Sequence, residues 1–120
     1  IEAFKSKRDL LLEFVERGML SQVTAGSVVG LFGGLAKRVT HRMLRDGQVH
    51  VIASDTHYPD GPRSPRLIAG LDAAARIVGV ESAQAMVLDT PKAILDDRPV
   101  QVEPPRRMGG PRRWWRFWGA

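Results

Sequence analysis

Two short apolar segments with a helical pattern between them constrain the fold of this chain most. Residues 19–24 and 49–53 have the composition of buried strands, and about residues 35–45 repeat apolar side chains at helical spacing. Strand, helix, strand in this order predicts a parallel pair joined by a right-handed crossover. Further helices are expected over about residues 6–17, 65–78, 81–88 and 91–95. Two strands alone make no stable sheet. The pattern therefore indicates an α/β fold in which this chain is part of a larger sheet or barrel.

Composition excludes several classes of protein. The 120 residues allow one domain, and 43% hydrophobic with 26% charged residues is typical of a soluble globular protein. The absence of cysteine excludes disulfides and thiolate metal sites, so any metal must use nitrogen and oxygen ligands. No apolar run is long enough to predict a membrane span. The chain begins with Ile1 and has no signal-peptide pattern, so we expect the interior of a longer cytoplasmic protein.

Charge is concentrated at the carboxyl end. Residues 98–120 contain six arginines and one glutamate, which accounts for the whole net charge of +5. Helical and strand periodicities end near residue 97, and prolines and glycines follow. We therefore predict a globular part over residues 1–97 and a disordered basic tail over residues 98–120.

Asp55 and His57 follow the second predicted strand directly. Residues i and i+2 of an extended chain point to the same side, so their side chains are expected to meet beyond the strand. Ligands gather at this end of parallel strands in α/β folds. A carboxylate with an imidazole suits a divalent metal such as Zn²⁺, Mn²⁺ or Fe²⁺. The alternative is a helix-capping aspartate beside a surface histidine.

Four blocks of sequence carry a family resemblance. They are Leu-Ser-Gln-Val-Thr-Ala-Gly-Ser at 20–27, Phe-Gly at 32–33, Val-Ile-Ala-Ser-Asp-Thr-His at 51–57 and Pro-Lys-Ala-Ile-Leu at 91–95. In this order they resemble the C-terminal part of bacterial manganese-dependent protein-tyrosine phosphatases of capsule and exopolysaccharide operons. That family belongs to the polymerase-and-histidinol-phosphatase (PHP) superfamily. The resemblance covers about residues 1–97.

The resemblance implies a fold and an activity. The fold is a distorted (β/α)7 barrel, of which this chain is a helix-rich C-terminal part with two or three parallel strands. A manganese cluster at the carboxyl end of the barrel strands activates a water molecule and holds the phosphoryl oxygens. The implied reaction is hydrolysis of phosphotyrosine on a partner tyrosine kinase that controls capsular or exopolysaccharide synthesis.

By position, Asp55 and His57 match the last pair of metal ligands in that family. Arg63 resembles an arginine that faces the phosphate, and is the candidate catalytic residue because its planar guanidinium can bind two phosphate oxygens. Arg66 is a weaker second candidate. An exposed loop position beside a helix N-cap, formed by Ser64, is the alternative for Arg63.

The family's other ligands lie in an H-x-H motif, acidic residues and an H-P-E-R block, none of which this chain contains. His41 is predicted to be solvated on a basic helix face, and His50 to be a hydrogen-bonded structural histidine. We therefore expect the isolated chain to be inactive. The glycines at 26 and 30–34 are not followed by G-K-[ST], so turns are expected rather than a nucleotide loop.

Residues 106–118 combine five arginines with three tryptophans and one phenylalanine. Arginine is attracted to anionic lipid and tryptophan prefers the membrane interface. We predict a peripheral anchor at the inner face of the plasma membrane, in preference to single-stranded nucleic acid or a solubilising tail.

Two alternative functions stay open for the chain. One is a small-molecule phosphatase of the histidinol-phosphate type, and the other is a non-catalytic module that binds membrane or nucleic acid through this tail.

Overall fold

The computed structural model describes residue 3 and residues 7–61 and 63–106. Within them the chain forms α1 (Arg8–Glu16), β1 (Gln22–Thr24), α2 (Ala25–Val29), α3 (Gly34–Arg45), β2 (Val51–Ala53), α4 (Ile68–Val78), α5 (Val80–Val87) and α6 (Asp89–Leu95). None of the helices in these ranges is long and apolar enough to cross a membrane. The predicted α/β class with more helix than strand is confirmed.

The two strands pair in parallel, as predicted. Gln22 lies opposite Val51 and Thr24 opposite Ala53, with α2 and α3 in the connection between the strands. Each strand has three residues, which is shorter than predicted. The prediction of a buried strand from residue 19 was wrong, because Met19 is 52% exposed and precedes β1.

The hydrophobic core lies between the strand pair and the helices. Its buried side chains come from α1, both strands, the segment before β2, and α2 to α5: Leu11, Val15, Val23, Ala25, Val28, Met43, Leu44, Val49, Ile52, Ala74 and Ala83. At its closest point α4 crosses the start of α2. A Cβ built on Gly70 would lie 2.6 Å from the Cβ of Ala25. Only a residue without a side chain allows this approach.

The loop between β2 and α4 differs from prediction. The third helix was expected from residue 65, with Ser64 as its N-cap, but α4 begins at Ile68 without a side-chain cap. The Ser64 N–H donates to the Gly61 carbonyl over 3.1 Å, and Ser64 is buried in the loop. Ser64 therefore lies in a turn closed by its backbone N–H and does not cap the helix.

The two histidines outside the predicted site behave differently from each other. The prediction for His41 was wrong: its ring is half-buried, and Nε2 lies 2.8 Å from the Val28 carbonyl, which ties α3 to the end of α2. The prediction for His50 was right. Its Nδ1 accepts a 2.9 Å hydrogen bond from the Ser21 N–H, and the residue is 5% exposed.

The segment after α6 returns to the globular part. The Arg106 N–H donates to the Asp46 carbonyl over 2.8 Å, and the Cα of Pro105 lies against Gly47. The chain is thereby held beside the end of α3, before β2 begins. The predicted tail residues from 107 onward lie outside the described part of the chain.

Candidate functional site

Asp55 and His57 lie where β2 ends, and a turn brings them together. Asp55 has a φ of +53°, a left-handed conformation that aspartate tolerates better than most residues. The extended geometry expected from the sequence was therefore wrong. The proximity of the two side chains was nevertheless predicted correctly, since Nδ1 of His57 lies 4.0 Å from Oδ1 of Asp55.

The His57 ring is oriented by the backbone of this turn. Nδ1 lies 2.7 Å from the Asp55 carbonyl oxygen. A carbonyl only accepts, so Nδ1 carries the proton and donates it. This leaves Nε2 as the nitrogen with a lone pair to offer. Histidines that bind metals are commonly held in this way, with the second nitrogen bonded to a carbonyl or carboxylate.

Arg63 is brought to the same place by the loop that follows. The His57 N–H donates to the Arg63 carbonyl over 3.1 Å, which closes the loop. Nη1 of Arg63 then lies 3.8 Å from Oδ2 of Asp55. The same Nη1 is 3.2 Å from Nε2 and 3.4 Å from Nδ1 of His57. With Nδ1 protonated, Arg63 Nη1 can donate to Nε2, so a ligand bound at Nε2 would replace this contact.

We call Asp55, His57 and Arg63 the strand-end site. Their side chains are 45%, 49% and 43% exposed, so solutes reach all three. Ion pairs this exposed contribute at most about 1 kcal/mol to stability. The arrangement therefore adds little to the stability of the fold.

The sequence did not indicate the part played by Phe32. Its ring centroid lies 5.6 Å from Cζ of Arg63, within the range of a cation–π contact. Phe32 was noted in the sequence only as part of a Phe-Gly block. Its position 31 residues before Arg63 gives no signal of contact, because the contact depends on β1 and β2 being neighbours.

The donor set fits a divalent metal in part. Asp55 offers a carboxylate and His57 an imidazole with an unprotonated Nε2, and both are nitrogen or oxygen ligands, as the lack of cysteine requires. In the described part of the chain, no group of three or more His, Asp or Glu side chains is placed to hold a metal ion. The described contacts of Asp55 and His57 involve Arg63 and not Arg66. The site therefore offers two candidate metal ligands and one guanidinium.

A family model described as "Capsular polysaccharide synthesis, CpsB/CapC" matches residues 2–96. The chain belongs to this CpsB/CapC family. It is 39% identical over 56 residues to the putative tyrosine-protein phosphatase CapC of Staphylococcus aureus. It is 42% identical over 48 residues to the tyrosine-protein phosphatase YwqE of Bacillus subtilis (strain 168). The resemblance stated from the sequence is confirmed.

The fold is shared with solved members of the CpsB/CapC family. A chain from the crystal structures of YwqE from Bacillus subtilis and CpsB from Streptococcus pneumoniae superposes with a TM-score of 0.79 at 25% identity. Those two proteins are described as unique metal-dependent tyrosine phosphatases. The superposition covers 89% of this chain and 42% of the solved chain. The alignments with CapC and YwqE cover 22% and 19% of those relatives, or 47% and 40% of this chain.

Proposed function

We propose that this chain contributes one side of the active site of a metal-dependent protein-tyrosine phosphatase. The observation that carries the proposal is the strand-end site, where Asp55, His57 and Arg63 meet at the carboxyl end of β2. The CpsB/CapC relatives named as tyrosine-protein phosphatases support the reaction. A carboxylate and an imidazole can hold a metal that assists phosphoryl transfer, and a guanidinium can bind phosphoryl oxygens.

We propose manganese as the metal and Asp55 with His57 as two of its ligands. The carboxylate and the unprotonated Nε2 suit Mn²⁺, and the remaining ligands come from outside the described residues. When bound, such a metal supplies Lewis acidity toward the phosphoryl group and an activated water. The task of this chain is to present the two donor atoms. The Nδ1–H of His57 fixes the ring for it through the Asp55 carbonyl.

Arg63 is proposed to bind the phosphoryl oxygens. Its contact with Asp55 is loose at 3.8 Å and exposed, so a dianionic phosphate can replace it at little cost. The in-plane N–H groups of the guanidinium can then donate to two phosphoryl oxygens together. The positive charge of the guanidinium then offsets part of the negative charge of the phosphoryl group.

The proposed substrate is phosphotyrosine on a bacterial tyrosine kinase that controls capsular or exopolysaccharide synthesis. Support comes from the description of the family and from the names of its relatives. A place on the cytoplasmic side of the plasma membrane is proposed through residues 106–118, whose arginines and tryptophans suit an anionic surface. A small-molecule phosphatase of the histidinol-phosphate type would use the same metal and guanidinium chemistry. The two functions are distinguished by which substrate is hydrolysed, a phosphotyrosine peptide or histidinol phosphate.

The experiment uses the chain alone and a chimera. In the chimera this chain replaces the segment of Bacillus subtilis YwqE that it matches, and phosphotyrosine peptide hydrolysis is measured with and without Mn²⁺. We expect Mn²⁺-dependent turnover by the chimera, with little turnover of histidinol phosphate and none by the 120-residue chain alone. A chimera that folds, as judged by circular dichroism, but hydrolyses neither substrate contradicts the proposal. Substantial turnover by the chain alone contradicts only its predicted inactivity.

A further inference from the structure

We infer that Phe32 is a positioning residue for Arg63. It lies in the turn between the second and third helices and holds the Arg63 guanidinium by a cation–π contact. The inference rests on the proposed phosphate-binding role of Arg63. Phe32 lies in the turn between α2 and α3, whereas Arg63 lies in the loop after β2. The contact therefore joins the carboxyl ends of both strands across the strand-end site.

The first support is the geometry of the pair. Cζ of Arg63 lies 5.6 Å from the Phe32 ring centroid, and a guanidinium within about 6 Å of an aromatic centroid is attracted to the ring face. Arginine has many rotamers when it is exposed, and Arg63 is 43% exposed. A ring beside the guanidinium limits that freedom before any phosphate arrives.

The second support is that Phe32 is itself fixed. A Cβ built on Gly26 would lie 2.6 Å from Cε2 and 3.1 Å from Cζ of Phe32, so the ring packs directly on the Gly26 backbone. Gly26 is the second residue of α2, which begins immediately after β1. The ring is therefore attached to a buried element although 39% of Phe32 is exposed.

The third support is that stacking and phosphate binding use different parts of a guanidinium. The ring of Phe32 attracts the cation through its face, whereas phosphoryl oxygens accept from the N–H groups in the guanidinium plane. Phe32 is uncharged, so it does not compete with an incoming phosphate as Asp55 does. A neutral aromatic partner can hold Arg63 in place with and without substrate.

A simpler role for Phe32 is to cover apolar surface in the turn. Leucine can provide that cover but has no aromatic face, so Phe32→Leu separates the two roles. Phe32→Tyr keeps the face and is the conservative variant. Leu31→Ala is the matched control, because Leu31 is the adjacent residue in the same turn and is 56% exposed without a contact to Arg63 among those described.

The experiment observes the Nε–Hε signal of Arg63 by ¹H–¹⁵N NMR in the 120-residue chain, assigned from its loss in Arg63→Ala. We expect Phe32→Leu to remove the ring-current shift of this signal and to raise the mobility of the Arg63 side chain. In Phe32→Tyr and Leu31→Ala, the chemical shift and the mobility should stay close to those of the parent chain. Titration with inorganic phosphate and with phenyl phosphate is expected to show roughly two- to five-fold weaker binding in Phe32→Leu. Gly26→Ala, which displaces the ring without removing it, is expected to act in the same direction.

Each result decides one statement. An Arg63 signal that is unchanged in Phe32→Leu overturns the inference. So does phosphate binding that falls in Arg63→Ala but not in Phe32→Leu. Phosphate binding that is unchanged in Arg63→Ala overturns the proposed role of Arg63 and the inference with it, and the Arg63→Ala arm identifies that case. If Phe32→Leu loses its dispersed spectrum, Gly26→Ala and Phe32→Tyr provide the comparison.

Discussion

The side chain of His57 donates from Nδ1 to the backbone carbonyl of Asp55 over 2.7 Å. The proposed ligand pair is thus also a hydrogen-bonded turn, with Nε2 left for a metal. Asp55 adopts a φ of +53° to form it. In this arrangement the conformation of one proposed ligand orients the other.

Metal binding by the chain is expected to depend on Asp55 and His57. Asp55→Asn removes the negative charge and keeps a residue that tolerates the left-handed conformation, so it tests the ligand and not the turn. We expect at least about tenfold weaker Mn²⁺ binding. The measurement is Mn²⁺-induced broadening of the amide signals of residues 54–58. Asp60→Asn, an exposed carboxylate in the same loop, is the control, and equal losses in both variants would contradict the assignment.

Gly70 is expected to be essential for packing between α2 and α4. Alanine normally stabilises a helix relative to glycine by up to about 1 kcal/mol. Gly70→Ala should instead lower the free energy of unfolding by about 1–3 kcal/mol, because the new Cβ would lie 2.6 Å from the Cβ of Ala25. Urea unfolding followed by circular dichroism measures the change.

Gly34→Ala is the matched control for this substitution, since its Cβ would meet only the end of the Arg38 side chain at 3.4 Å. We expect it to be neutral or mildly stabilising. An equal change in the free energy of unfolding in Gly70→Ala and Gly34→Ala would show that α2 and α4 can move apart without cost.

Protonation of His50 is expected to destabilise the fold. Burial lowers the pKa of His50 below its ordinary value of 6.5, because the charged ring loses its hydration. The unfolded state therefore binds the proton more readily than the folded state. The stability associated with the neutral ring is present above pH 6.5 and is lost as the pH falls through the lower pKa of the folded state.

The measurement is the free energy of urea unfolding at pH 7.5 and pH 5.5. His50→Asn is the comparison, because its side-chain oxygen can accept from the Ser21 N–H in place of Nδ1 and does not titrate. We expect a smaller fall in stability between the two pH values in His50→Asn than in the parent chain. The same fall in both would mean that other groups are responsible.

The tail is expected to bind anionic vesicles. Replacing Arg112, Arg113 and Arg116 with glutamine removes three basic residues, each worth about 1 kcal/mol at an anionic surface. The affinity for vesicles containing phosphatidylserine, measured by co-sedimentation, should fall by roughly two orders of magnitude. Neutral vesicles should bind neither the parent chain nor the variant. Retention of a single-stranded oligonucleotide without binding to vesicles would favour the nucleic-acid alternative.

Sequence reasoning succeeded where a pattern is local and repeated. The apolar spacing of residues 35–45 predicted α3 to within one residue of Gly34–Arg45, and the order of elements predicted the parallel pairing of β1 with β2. Asp55 and His57 were predicted to meet because they are two residues apart. The left-handed turn that brings them together was not predicted, since aspartate adopts both extended and left-handed conformations.

Sequence reasoning failed where a contact depends on the assembled fold. The Arg63–Phe32 pair needs two strand ends to be neighbours, and the half-burial of His41 needs α3 to pack on the end of α2. Serine is a common helix N-cap residue, but the Ser64 N–H donates to the Gly61 carbonyl in a turn. Local propensity does not distinguish these outcomes.

The hydrogen bond from the Arg106 N–H to the Asp46 carbonyl also determines where the last described residue lies. Asp46 precedes β2, whereas Asp55 follows it, so Arg106 is held at the opposite end of that strand from the strand-end site. In the described part of the chain, the carboxyl-terminal segment is therefore fixed ahead of β2, whereas Asp55, His57 and Arg63 lie beyond its far end.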